Sequence, residues 1–327
     1  MEVKIMNFAG SVCLRQKQNR TVRCLLAFLL PLSLGLLFNP ASARGAALLY
    51  QTGFDVSEGY DANLDLVGQN GWVGEGSGGN GILTGWFPGK GQQAYVGFSR
   101  PNTNDSSLLV FQQINKTIPQ AQCSVTFQIE DSSNTNWDDF YWRTYNQQGQ
   151  QLFTLDFDNF ELKAYYILGT STNRIFSGLS FSDATPYRLV VGMNFTSNLW
   201  SATLNGSLLA TNQPITSTGA ALNLGDFDAG WFIYDPKKPG DNYMVFDDYR
   251  ITASIPPPSI RMLGILNGAA TLRVSGLSGY SFAVEASTNL TQWASLKTNL
   301  TTSGSFDFVD DKAAGLKRRW YRARWVP

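Results

Sequence analysis

Apolar and polar side chains alternate most clearly over Tyr187–Ala210. Tyr187, Leu189, Val191, Met193 and Phe195 alternate with Arg188, Val190, Gly192 and Asn194, so one face of a half-buried strand is uniformly apolar. After the polar break Thr196-Ser197-Asn198, the residues Trp200, Ala202 and Leu204 repeat the period of two. This second run stops at Asn205-Gly206, a dipeptide suited to a type I′ turn because both central residues need positive φ. Ser207–Thr211 returns along it, and the three runs read as a strand meander.

Upstream, the same pattern predicts strands over Gln93–Phe98, Ser107–Ile114, Cys123–Glu130, Phe140–Tyr145, Gln151–Phe157, Phe160–Leu168 and Arg174–Phe181. Downstream it predicts closing strands over Gly230–Tyr234 and Tyr243–Thr252. No segment sustains a 3.6-residue apolar period. Strands recur roughly every 10–15 residues with turn chemistry between them, as in a sandwich or barrel. Gly68–Gly91 reads as a long glycine-dominated loop. Ser254–Ser259, with three consecutive prolines, reads as a stiff linker that cannot join a sheet ladder. A smaller all-β module follows, with strands predicted over Thr271–Ser275, Ser281–Ala286, Ala294–Thr298, Ser305–Val309 and Arg319–Trp325.

Two resemblances sharpen this picture. The meander, with W-S-A-T-L-N-G at its centre, resembles the late strands of the concanavalin A-like (laminin G-like) jelly-roll sandwich. The run Y-S-F-A-V-E-A-S-T-N-L-T-Q-W (Tyr280–Trp293), followed by F-D-F-V-D-D and R-R-W-Y-R-A, resembles a fibronectin III-like C-terminal module of secreted bacterial proteins. The expected fold is therefore all-β, an antiparallel jelly-roll β-sandwich over residues 44–253, a Pro-rich linker over 254–259, and a second, smaller β-sandwich module over 260–327. The second resemblance implies attachment or spacing in place of chemistry.

The N-terminus changes the compartment. Lys4, Arg15, Lys17, Arg20 and Arg23 precede the apolar run Cys24–Phe38, which is short for a membrane span, and Ala41-Ser42-Ala43 offers an A-x-A cleavage site. Residues 1–43 read as a signal peptide. The expected protein is exported, secreted or held in the cell envelope, with no transmembrane segment after cleavage. The remaining 284 residues carry 20 Lys and Arg against 24 Asp and Glu. That mildly acidic balance gives no electrostatic reason to expect nucleic acid as a partner.

The chain has no histidine, which excludes Ser-His-Asp and Cys-His catalysis and the common zinc and copper sites. Beyond residue 43 only Cys123 remains, within the strand-like CSVTFQI, and it reads as a small buried apolar residue. Gly76-Ser77-Gly78-Gly79-Asn80-Gly81 matches G-x-G-x-x-G but lacks the strand before and the helix after that a dinucleotide site needs.

Three candidate chemistries remain. Asp156-Phe157-Asp158-Asn159-Phe160-Glu161 is similar to the E-x-D-x-x-E signature of jelly-roll glucanases, a resemblance that implies a retaining glycosidase using Asp156, Asp158 and Glu161. Asp156 is one methylene short of that nucleophile, and Asp158-Asn159 doubles as a two-residue hairpin turn between FTLDF and FELKAYY, so the expected protein is not an enzyme. Asp55, Glu58, Asp247 and Asp248 are candidate ligands for a structural Ca²⁺, which the jelly-roll resemblance implies where first and last strands meet; Asp226, Asp228, Asp235 and Asp241 are weaker versions of the same idea. Trp72, Trp86, Trp137 and Trp231 lie in or beside polar loops, and aromatic platforms among planar polar groups suit sugar rings. The expected function is non-catalytic, lectin-like binding of an extracellular polysaccharide or cell-surface glycan. The alternative is a structural or protein-interaction module of the envelope.

Overall fold

The computed structural model describes residues 7–8, 11–12, 46–101, 105–314, 316 and 318–326. The apolar run and cleavage site expected of a signal peptide lie outside them. Two short strands, β1 (Asn7–Phe8) and β2 (Ser11–Val12), pair with each other in a unit of residues 1–40. Residues 41–327 form a second unit, all-β apart from two single 3₁₀ turns among the described residues. No helix among them is long and apolar enough to cross a membrane.

The strands are β3 (Ala47–Thr52), β4 (Trp72–Gly76), β5 (Asn80–Thr84), β6 (Gln92–Gly97), β7 (Ser107–Gln112), β8 (Gln120–Glu130), β9 (Asp139–Tyr145), β10 (Gln151–Asp158), β11 (Lys163–Leu168) and β12 (Ile175–Ser180). The meander follows as β13 (Tyr187–Asn194), β14 (Leu199–Leu204) and β15 (Ser207–Pro214), and then come β16 (Asp226–Phe232) and β17 (Tyr243–Ser254). They build two antiparallel sheets. One has seven strands in the order β12-β11-β10-β9-β16-β7-β4, the other the order β15-β14-β13-β8-β17-β6-β5, with β3 also paired to β17.

Alternation decides what lies between the sheets. Leu189, Val191 and Met193 of β13 are buried, as are Phe153, Leu155 and Phe157 of β10, and these inner faces share one core. Large aromatics bridge the layers: Phe153 stacks on Trp200 at 4.0 Å, and Phe127 meets Phe157 edge-on at 4.8 Å. Such pairs add about 0.5–1.5 kcal/mol each beyond the area they bury. Cys123 is fully buried and free, its thiol pushed up by desolvation, as expected of a core residue. The meander's tip is the expected turn: Leu204 pairs with Ser207, and Asn205 and Gly206 have φ of 48° and 81°.

The supposed loop Gly68–Gly91 in fact holds two strands, β4 and β5. Its G-x-G-x-x-G match joins their ends, with no helix after it. The glycines serve close approach: a β-carbon on Gly79 would sit 2.2 Å from the Gly97 carbonyl oxygen.

Past residues 255–258 come β18 (Ser259–Leu266), β19 (Ala269–Ser275), β20 (Ser281–Ser287), β21 (Ala294–Leu300), β22 (Ser305–Asp310) and β23 (Trp320–Val326). They form two three-stranded antiparallel sheets, β18-β19-β22 and β21-β20-β23. Leu272, Val274, Phe282 and Val284 supply buried core between them. A bidentate pair, Arg273 with Asp307, holds β19 to β22 on the surface.

Candidate functional site

The seven-stranded sheet turns its polar face away from the core. Across it, Tyr141 of β9, Asp156 of β10 and Tyr165 of β11 stand in one cross-strand row, because Asp156 pairs with both tyrosines. Asp139 and Asp158 lie two residues away on their own strands, hence on the same face. Arg174, just before β12, closes over them: its Nε is 2.7 Å from Asp156 Oδ2, and a terminal nitrogen is 2.9 Å from Asp158 and 3.7 Å from Asp139. The guanidinium also lies over the Tyr165 ring, 4.3 Å from its centroid. The Tyr234 hydroxyl donates to Asp139 at 2.6 Å.

Three carboxyls thus face one cation in a nearly dry setting. Burial pushes the Asp156 carboxyl up to about 8, and the neighbouring Asp139 charge adds to the rise while Arg174 opposes it. Burial likewise pushes Asp139 up to about 6. Burial alone would lower the Arg174 guanidinium, but Asp156, Asp158 and Asp139 together more than reverse this and keep it charged. The cluster therefore retains a proton at neutral pH.

Aromatic rings surround this polar centre. Phe160, Tyr234 and Phe176 are 70%, 58% and 48% exposed, and Trp137 packs on Phe160 at 5.4 Å while its indole N–H donates to Asp131. Phe176 lies beside Tyr165, and Phe232 stacks on Tyr141.

The glucanase-like hexapeptide divides here. Asp156 and Asp158 meet at Arg174, but Glu161 does not join them. Asp158 pairs with Lys163, so residues 159–162 form a four-residue hairpin tip and not the expected two-residue turn at Asp158-Asn159. Asp158 accepts from the backbone N–H of Phe160 and Glu161 and so shapes that tip. Glu161 instead takes the Tyr165 hydroxyl and the Lys163 ammonium, and both hold its exposed carboxyl below the usual range. The three carboxylates have no common cleft.

Two of the four tryptophans are corrected as ligand contacts. Trp72 is 1% exposed, its indole N–H donating to the Tyr50 and Tyr60 hydroxyls, and Trp231 is fully buried between the sheets. In β16, Phe227, Ala229 and Trp231 face the core while Asp226, Asp228 and Gly230 face away, a visible alternation that a strand begun at Gly230 misses. Trp86 is exposed beside Tyr243, on the eight-stranded sheet, and Trp137 lies at the rim described above.

The expected calcium ligands are only partly together. β17 changes partner from β6 to β3 at Asp247-Asp248, where Asp248 takes φ of 50°. Oxygens of Asp55, Asp247 and Glu58 lie 3.5, 3.6 and 4.0 Å from where a β-carbon on Gly53 would stand. Glu58 Oε2, however, already takes Thr52 Oγ1–H and the backbone N–H of Gly53 and Asp55. Asp247 accepts from the Asp248 N–H, and Asp248 turns out to Lys90 at 3.0 Å. Among the described residues no group of three or more such side chains is arranged to hold a metal ion. These carboxylates fit loop capping and not a calcium cage.

No protein-family model matches the chain, and no curated protein matches it. Its architecture is that of an all-β protein built on an antiparallel sandwich, and several solved sandwiches are similar in outline. A sialidase aligns at 6% identity and TM-score 0.46 over 63% of this chain, which spans only 19% of that enzyme. Basic winged bean lectin, solved with Tn-antigen, aligns at 9% identity and TM-score 0.42 over 64% of this chain and 99% of the lectin. A β-glucanase catalytic domain from Podospora anserina aligns at 10% identity and TM-score 0.41 over 64% of this chain and 98% of its own.

Proposed function

We propose that the protein is an exported, non-catalytic glycan-binding protein whose contact surface is the outer face of the seven-stranded sheet around Arg174. One observation carries the reading: the Arg174 guanidinium lies over Tyr165, which packs on the exposed Phe176, and pairs with Asp139, which also takes the hydroxyl of the exposed Tyr234. Pyranose C–H faces stack on such rings, while the guanidinium and the Tyr234 hydroxyl bond sugar hydroxyls. Supporting a non-catalytic role, Asp156 is 1% exposed and capped by Arg174, and Glu161 is tied to Tyr165. Calcium is not part of this proposal. The fibronectin III-like reading of residues 260–327 agrees with two packed three-stranded sheets, and the module serves here as a spacer. Export is tested by N-terminal sequencing of extracellular protein, with a mature chain starting at Arg44 expected.

The binding test is a polysaccharide and glycan array with the wild-type protein and the Tyr234→Ala and Phe176→Ala variants. Specific binding that each substitution weakens about tenfold, roughly 1.4 kcal/mol, is expected. Binding unchanged in both variants, or absent across a broad array, sinks the proposal. A second reading, an interaction module of the envelope, is favoured by strand β18. It is paired on one side only, and its Met262, Leu263, Ile265 and Leu266 are exposed. Array silence together with β18-dependent association would establish that reading instead.

A further inference from the structure

A second cleft, of about 180 Å³, opens on the outer side of the seven-stranded sheet. Asp226 and Asp228 of β16 line it, two residues apart and on one face. They are 9% and 1% exposed, and Oδ1 of each is buried without a hydrogen-bond partner. A buried acceptor left open in this way costs stability unless something supplies a donor.

The rest of the lining shows what kind of ligand could. Asn146 Nδ2–H bonds already go to Gln150 Oε1 at 2.9 Å and the Ala221 carbonyl at 3.1 Å, and Gln147 Nε2–H goes to the Ile114 carbonyl. The buried wall therefore presents open acceptors, and both N–H bonds of the Asn146 amide are committed to the protein itself. Glu75 adds a third carboxylate at the exposed rim.

Both carboxyls are held above their ordinary range. Burial raises both carboxyls, and the neighbouring Asp226 charge raises Asp228 further. Arg143 on β9, Glu75 on β4 and Tyr145 on β9 face them, and Tyr249 lies behind from the other sheet. Arg143, the cross-strand partner of Asp228, lowers it in part, but its Nε–H donates to Thr154, its guanidinium sits over Tyr141, and it also bonds the Tyr145 hydroxyl. Since no group of three such side chains among the described residues is arranged for a metal ion, a cation with its own directional donors suits the cleft better.

We propose that this cleft binds a primary ammonium group carried on a small ligand, whose N–H donors go to the open oxygens of Asp226 and Asp228, with Glu75 attracting it at the rim. No covalent bond changes. The ammonium enters with its three N–H bonds intact, and a proton held by the raised pair leaves to solvent as it does so, which balances charge in the cleft one for one. The inference is independent of the glycan surface at Arg174, and either can fail alone.

The test is titration calorimetry of the full chain with glucosamine, 1,5-diaminopentane, glucose and CaCl₂, each in two buffers of different ionisation enthalpy at pH 6 and 7. The expected result is amine binding that releases protons and tightens from pH 6 to pH 7, with no binding of glucose. Glucosamine alone binding assigns an amino sugar as the source; diaminopentane binding assigns an alkylamine. Asp228→Asn should weaken the amine at least tenfold, and Glu75→Gln, at an exposed position that leaves the buried pair untouched, about threefold. Absence of amine binding overturns the inference, as does equal binding of glucose, displacement of the amine by calcium, or full affinity in both variants.

Discussion

Replacing Asp156 with asparagine tests the electrostatics of the Arg174 cluster directly. Asp156 is 1% exposed and raised from 3.8 to about 8 on folding. A carboxyl raised in this way contributes stability that is fully present below the unfolded value and lost as pH rises toward the folded one. Between those limits the unfolded state has released the proton and the native state still holds it, so stability falls by about 1.4 kcal/mol per pH unit. From pH 5 to pH 7 the wild type should lose about 3 kcal/mol through this group, or about 6 °C in Tm at about 2 °C per kcal/mol. The asparagine amide cannot ionise, so the stability of D156N relative to the wild type should rise by about 3 kcal/mol between pH 5 and pH 7. Asp139, raised to about 6, adds the same sign to both proteins and largely cancels in the comparison. Urea unfolding at half-unit steps from pH 4.5 to 8.5 reads the difference. Parallel curves would show that Asp156 does not titrate in this window. A wild type that gains stability with pH relative to D156N would show that Arg174 overrides burial, the reverse of the ordering argued above.

Packing predictions follow from burial. Trp231→Ala and Trp72→Ala should each lose about 3–5 kcal/mol in urea unfolding, whereas Trp137→Ala, at the rim, should lose less than about 1 kcal/mol; similar losses for all three would overturn the assignment of the first two to the core. Gly79→Ala drives a β-carbon into the Gly97 carbonyl and should cost about 1–3 kcal/mol in the same assay, with an unchanged midpoint as the contrary result. Calcium and EDTA should give melting temperatures within about 1 °C of each other, because Glu58 and Asp248 are engaged by Thr52 and Lys90; a calcium-dependent rise of several degrees would show that the Gly53 carboxylates rearrange round the ion.

What could be read from the sequence depended on how local each feature is. The meander was readable because alternation and the Asn-Gly turn act within a few residues, and its register follows from them. Strands β4 and β5 escaped because glycines that look like loop punctuation serve close backbone approach, as Gly79 does beneath Gly97. Trp231 was within reach, since Asp226-Phe227-Asp228-Ala229-Gly230-Trp231 alternates, but its aspartates resemble a loop until the strand is extended back to them. The Arg174 cluster lay beyond local reading altogether. Asp139, Asp156, Arg174 and Tyr234 lie far apart along the chain, and only the pairing of β9 with β10 and β16, and of β11 with β12, brings them together. A local hairpin between β10 and β11 separates Glu161 from Asp156, although five residues of sequence also fit a single catalytic strand. A hairpin tip reverses the chain between those carboxyls, so their spacing in sequence carries no information about their separation in space. The Arg174 surface is therefore defined by sheet register, and substitutions that shift the β9–β10 pairing should abolish it even where every functional side chain is retained.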